Sequence, residues 1–269
     1  MTKVVSFYSS KGGAGKSASV LFTANMLSEM GHSVLILDLC ANGDISNNFG
    51  FNRKDFGGRT TVDWIKGDKT IKEVAVKVPN KNIYFVPSDP EIQKLHDWAK
   101  KNVATGRSEI LKMKLKAIEG VFDYALLDCH PAQYDFGVRL ALCASHNVVV
   151  PFQMDGNNRD GAIQAVDVIK DLKNKGFQME YLVLPVAIKT NNFGKDKKLL
   201  KRVYEDMETQ GVLNRSEIFI QECDYIKEYT LGYKTFDEIA KQRSTKKVIE
   251  QYKKVMKGFL EVGKMEVVK

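Results

Sequence analysis

The chain has 269 residues, of which 43% are hydrophobic and 28% charged, a length and balance that suit one large soluble α/β domain. Its four cysteines (Cys40, Cys129, Cys143, Cys223) lack CxxC spacing, which argues against a disulfide framework and a structural zinc site. No apolar run nears the ~20 residues that span a bilayer, and the N-terminus has no charged stretch leading into an apolar run, so neither a membrane span nor a signal peptide is expected and the expected location is the cytoplasm. The net charge is +8, and residues 241–269 supply most of it with nine Lys/Arg against three Asp/Glu. A basic end of this kind suits a polyanion: DNA, RNA or an anionic membrane.

In chain order, Val4 to Tyr8 reads as a buried strand ending at a Ser/Gly-rich turn. Residues 16–30 place Val20, Leu21, Ala24 and Leu27 at helical spacing, and Gly31 stops the helix. Ser33 to Leu39 is a second strand, apolar on both faces as parallel strands are. Further strands are expected at Asn82–Pro87, Tyr124–Leu127, Asn147–Pro151 and Tyr181–Ala187, with helices at 108–119, 158–174 and 196–209. Alternating β and α elements predict one doubly wound, mostly parallel sheet with helices on both faces, in a single domain over residues 1–269. The longest irregular stretch, about Ala41 to Arg59, follows the second strand, where ligand-sensing loops sit in such folds.

Lys11-Gly12-Gly13-Ala14-Gly15-Lys16-Ser17, followed by Ala18, lies between a strand and a helix. That context marks a phosphate-binding P-loop, with Ser10 where the general pattern has glycine. The glycines let successive N–H groups point at phosphate oxygens, and the helix N-terminus adds partial positive charge. Lys16 is expected to bridge the β- and γ-phosphates, and Ser17 to ligate Mg²⁺. Asp128 follows apolar residues at a strand end and is placed to face the Mg²⁺ through a water or Ser17.

With its extra lysine at position 11, KGGAGKS resembles the signature of the ParA/MinD family of deviant Walker A ATPases. Other segments extend the resemblance over nearly the whole chain. Asp38 stands at the family's DxDPQG motif; Phe122 to Pro131 is similar to the segment containing Walker B, Asn147 to Gln153 to the next strand, and Ile220 to Gly232 loosely to the IPR region. The resemblance implies bound ATP and Mg²⁺. It implies catalytic roles for Lys11, Lys16, Asp38 and Asp128, with Asp38 and Asp128 holding the metal through water. It also implies an ATP-dependent sandwich homodimer in which Lys11 reaches the partner's nucleotide. The position of the P-loop near residue 10 is most like the small, partition-type members without an N-terminal helix-turn-helix. Base contacts carry over to Lys189 and Gln221, and the choice of ATP over GTP rests on the resemblance.

The sequence departs from the family at Cys40, where the pattern has the second Asp that orients the attacking water. A thiol has an unperturbed pKa near ~8.5, and a triphosphate beside it would push that higher. Hydrolysis is therefore expected to be very slow or partner-dependent, with Asp44 a possible substitute. His130 replaces the first Pro of the family's PP pair. Cys40, Cys129 and His130 could converge on a metal, although three ligands without local spacing are weak evidence.

The basic end reads as a helix at about 244–262. Val248, Tyr252, Val255 and Phe259 share one face, and Lys246, Lys247, Lys253, Lys254 and Lys257 lie largely elsewhere. For the lysines we expect nonspecific DNA, with Lys195, Lys197, Lys198, Lys201 and Arg202 extending the surface. The expected function is a partition ATPase that positions or segregates a plasmid, chromosome or other cargo with a ParB-like partner. A MinD-like ATPase binding the membrane through the terminal helix is the alternative, and a P-loop metabolic enzyme, a ligase or iron-sulfur reductase, is a third class.

Overall fold

The computed structural model describes residues 1–189 and 193–261, without the side chains of Asp44, Arg53, Phe193 and Glu261. Seven strands, β1 (Lys3–Phe7), β2 (Val34–Leu39), β3 (Val76–Lys77), β4 (Ile83–Val86), β5 (Tyr124–Cys129), β6 (Asn147–Phe152) and β7 (Glu180–Pro185), form one sheet in the order β3-β4-β2-β5-β1-β6-β7. Every pairing is parallel except that of β3 with β4. This is the doubly wound, mostly parallel sheet expected from the alternation of apolar runs and helical patterns.

Burial on both sides follows from the period of two along each strand. On β2, Leu35, Leu37 and Leu39 enter one core, together with Ala125, Leu127 and Cys129 of β5. Val34 and Ile36 enter the other, together with Val5, Phe7 and Leu126. The first core is closed by α3 (Thr61–Lys66), α5 (Leu95–Asn102), α6 (Ile110–Lys116), α7 (Phe136–Ala144) and α8 (Gly156–Asn174). The second is closed by α1 (Lys16–Glu29), α10 (Asp224–Thr230), α11 (Phe236–Ala240) and α12 (Arg243–Glu261). Residues at even positions on β2 and β5 thus face α1, the helix that opens at the phosphate loop.

The stretch from Ala41 to Arg59 carries a short helix, α2 (Asp44–Asn48), and a 3-10 turn at Arg53–Phe56. Two-residue β3 was not anticipated, nor were α4 (Ile71–Val74), α5, α7, α10 and α11. The terminal helix is where it was expected; Val262 lies outside the described residues. α12 packs on α1, with Tyr252 stacked on Phe22 at 5.4 Å between ring centroids and its hydroxyl 2.9 Å from Ser19 Oγ.

Candidate nucleotide and metal site

The phosphate loop leaves β1 at the C-terminal edge of the sheet, where open α/β folds place their ligands. Gly13 and Gly15 take φ of 73° and 85°, a region L-residues avoid. Gly15 is fixed sterically as well, since a Cβ there would lie 2.9 Å from Val186 Cγ2 at the end of β7. Gly12, Gly13 and Lys11 are exposed, Ala14 and Lys16 are buried, and Ser17 and Ala18 are half-buried at the first turn of α1.

Neighbouring elements hold the loop at several points. Gln153 Nε2 donates to Gly13 O at 2.6 Å, and Ser10 N–H donates to Gly161 O at 3.3 Å. The Tyr8 hydroxyl lies 3.2 Å from Ser10 Oγ and donates to Ala132 O at 3.1 Å. Ser10, the departure from the glycine pattern, thus serves as a tie. Lys16 Nζ donates to Lys11 O at 3.0 Å. Burial lowers the Lys16 pKa, and the Asp128 carboxylate opposes that shift.

Lys11 is exposed and packs against a neighbouring helix. Its stem runs across α8 at Gly161, where an added Cβ would come within 2.5 Å of Lys11 Cγ. Only a glycine admits the lysine there, and its spacing in the sequence gave no sign of that role.

Asp38 and Asp128 are direct cross-strand neighbours on the α1 side of the sheet, and both are buried. Asp38 Oδ1 accepts the Cys40 N–H at 2.9 Å, and Oδ2 accepts that of Ile45 at 3.4 Å, so this carboxylate also organises the loop behind it. Cys40 Sγ lies 3.7 Å from Asp128 O. One ligating atom each from Asp38, Cys40 and Asp128 falls within 4.8 Å of the others. Burial, then the Asp128 and Asp38 carboxylates, push the Cys40 thiol far above the ordinary thiol range. The companion of Cys40 is therefore the carboxylate pair. Cys129 belongs to the opposite core, and the grouping of Cys40 with Cys129 and His130 does not form among the described residues.

Lys189 is exposed and Gln221 half-buried. A backbone bridge joins Ile188 to Gln221, which sets Lys189 beside the Gln221 segment. Gln251 of α12 accepts the Gln221 N–H at 3.0 Å, and Ala187, just before, holds φ of 54°. On α12, Lys246, Lys247, Lys254 and Lys257 are exposed, whereas Lys253 is half-buried and pairs with Glu29 at 3.8 Å and Glu250 at 4.0 Å. On α9 (Phe193–Thr209), Lys195, Lys197, Lys198, Lys201 and Arg202 are all exposed.

The AAA domain family, in its AAA_31 form, matches residues 2–181. The chain belongs to this family and, within it, to the ParA-type ATPases. It is 28% identical over 205 residues to the cell division protein PomZ of Myxococcus xanthus, a match covering 76% of this chain and 61% of PomZ. The chain thus spans less than two thirds of that relative. Chromosome partitioning protein ParA of Caulobacter vibrioides is 26% identical over 196 residues, covering 71% of this chain and 72% of ParA. Cobyrinic acid a,c-diamide synthase from Mycobacterium smegmatis, solved with an ATP analogue and magnesium, shares the fold at a TM-score of 0.80 and 19% identity, over 98% of this chain and 96% of that one. One fold thus serves both partition proteins and an amide-forming enzyme, and the identity of this chain rests on its sequence relatives.

Proposed function

We propose that this ParA-type protein binds ATP with Mg²⁺, dimerises around it, and in that state binds DNA without sequence preference to position or segregate a cargo. The observation that carries the reading is Lys11: a second lysine inside the phosphate loop, exposed and with its stem packed against Gly161 of α8, while Lys16 is buried and bonded to the loop backbone. An exposed second cation beside a loop already served by Lys16 fits a role on a facing nucleotide. When bound, ATP·Mg²⁺ supplies an electrophilic γ-phosphoryl group and the metal that neutralises charge on its oxygens.

The residues suit that group. The loop N–H groups and the start of α1 are arranged for phosphate, Lys16 for the β- and γ-oxygens, and Ser17 for the metal. The carboxylates of Asp38 and Asp128 converge beside it, in place to orient metal-bound water. Lys189 and Gln221, on adjoining backbone, are assigned to the base. Cys40, held protonated by its burial, is a poor base, so hydrolysis in the isolated protein is very slow and a ParB-like partner is the expected stimulus. Asp44 is the other acid of this loop, and its side chain lies outside the described residues.

For DNA, Lys246, Lys247, Lys254 and Lys257 of α12 form the core of the surface, and the cations of α9, a helix packed on the opposite core, are a separate exposed group. Lys253 is the weakest of the five, because acids already neutralise it. The membrane alternative is disfavoured by the apolar face of α12, which is spent on the core: Val248 is 0% exposed, Tyr252 3% and Val255 5%. No helix among the described residues is long and apolar enough to cross a membrane, and the reading places the protein in the cytoplasm, on DNA when loaded with ATP.

The test is light scattering without nucleotide, with ADP and with ATP, repeated on Lys11→Ala. The expected result is a dimer with ATP only, absent in Lys11→Ala although that variant still binds nucleotide. A monomer in every state of the parent chain overturns the reading.

A further inference from the structure

The family's second acidic position is a cysteine here, and the structure puts that sulfur into a donor set of different character. Asp38 and Asp128 sit opposite each other on adjacent parallel strands. Cys40, two residues beyond Asp38, returns to them because its own N–H is bound by Asp38 Oδ1. All three side chains are buried, at 0%, 1% and 8% exposure for Asp38, Asp128 and Cys40. Their ligating atoms lie within 4.8 Å of one another.

We propose that Asp38, Cys40 and Asp128 bind a thiophilic divalent cation, Zn²⁺ or Co²⁺ in type, in the absence of nucleotide. Metal–oxygen bonds of ~2.0 Å and one metal–sulfur bond of ~2.3 Å put tetrahedral ligands roughly 3.3–3.5 Å apart. The observed cluster, with ligating atoms within 4.8 Å of one another, needs a closure of up to about 1.5 Å, a shift of side-chain torsions. Three protein ligands with the fourth position open to water is a common zinc arrangement. Mg²⁺ is a poor match for the same set: it prefers oxygen in octahedral geometry and gives up water reluctantly, whereas thiolate selects softer ions. As the sulfur–metal bond forms, the Cys40 proton passes to solvent, and no electron is transferred. Two carboxylates and a thiolate then face a dication, and the Lys16 ammonium nearby, which Asp128 and Cys40 favour in its charged form, offsets the remaining negative charge.

The sulfur can be assigned uniquely. Cys129 lies on the opposite face of β5, with Sγ 3.9 Å from Leu127 O, and Cys143 and Cys223 belong to other parts of the two cores. The proposal uses the pocket assigned to nucleotide and does not depend on nucleotide being bound there.

The test is titration of the nucleotide-free protein with Co²⁺, followed by absorption. The expected result is a thiolate-to-cobalt charge-transfer band in the near ultraviolet with visible bands of tetrahedral cobalt. Stoichiometric Zn²⁺ abolishes them and a large excess of Mg²⁺ leaves them in place. The bands are lost in Cys40→Ser and kept in Cys129→Ser. Asp128→Asn weakens cobalt binding about tenfold or more, a readout that stands even if Cys40→Ser folds poorly by circular dichroism. No band in the parent protein, a band that survives Cys40→Ser, or displacement by Mg²⁺ as readily as by Zn²⁺ overturns the proposal. Binding of a fluorescent ATP analogue by the parent chain and by Cys40→Ser, measured in parallel with Mg²⁺, reports on the nucleotide reading separately.

Discussion

Cys40 stands where the resemblance to the ParA/MinD family implies a second Asp. Its thiol is buried against two carboxylates and held protonated by that burial, so it can neither take a proton from water nor orient one well. Replacing it by Asp restores a carboxylate at a position already served by the Asp38 hydrogen bond. Cys40→Asp is expected to raise ATP turnover about a hundredfold, the lower part of what a positioned base contributes, measured as phosphate release under single-turnover conditions. An unchanged rate would show that the thiol is not what limits hydrolysis. The candidate phosphate-binding residues stood out because glycine, lysine and serine at fixed spacing have one common use. Gly161 and Gln153 did not, because their roles consist of distances to a loop some 140 residues earlier, and such distances appear only once the sheet is assembled.

Among the elements, α12 divides its labour by face. Its inner side is core, stacked on α1, and its outer side carries the exposed lysines. Each phosphate contact releases about 0.9 counterion on duplex DNA. Single Ala variants of Lys246, Lys247, Lys254 and Lys257 are therefore expected to lower the slope of log K against log salt by about 1 each, uniformly across sequences. Lys253→Ala is expected to change it less. Fluorescence anisotropy with two unrelated duplexes in the ATP state checks both.

At the other end of the sheet, His146 Nδ1 accepts the Val4 N–H at 3.0 Å, a bond only an unprotonated nitrogen accepts. Burial first, then Lys3 and Lys112, lower its pKa in the folded state. The unfolded chain, with an ordinary histidine pKa near ~6.5, then binds more protons over the interval between the two values. Stability contributed by His146 is thus present above ~6.5 and lost as pH falls toward the folded value. Urea midpoints at pH 7.5 and 5.5 are expected to differ less in His146→Gln than in the parent chain. The long strands and helices were readable from apolar spacing, whereas short α2, α4, α10 and α11 were not, since four to seven residues hold too few turns for a period to show.

For the whole molecule, an ATP sandwich makes stability a function of concentration. A ligand that binds only the folded state raises Tm with its own concentration, and a partner subunit does the same with protein concentration. With ATP and Mg²⁺ the Tm of the parent chain is expected to climb as protein is added. In Lys11→Ala, ATP is expected to raise Tm while protein concentration has no effect. Differential scanning fluorimetry across a dilution series separates the two cases, and a flat response in the parent chain would count against dimerisation. The doubly wound sheet could be read in advance because parallel strands buried on both faces leave continuous apolar runs. The pairing of Asp38 with Asp128 could not, because strand order and register are properties of the folded sheet.

The hydrogen bonds from Gln153 and Ser10 that tie the phosphate loop to β6 and α8 also bear on timing. On the proposed nucleotide reading, a loop tied in this way has little entropy left to surrender, so capture is expected at close to the encounter rate and without a lag. The slow coordinate is then expected in the segment behind Asp38, two of whose backbone N–H groups bind that carboxylate. Stopped-flow traces would resolve into a fast, concentration-dependent phase for capture and a slower, concentration-independent one for that segment.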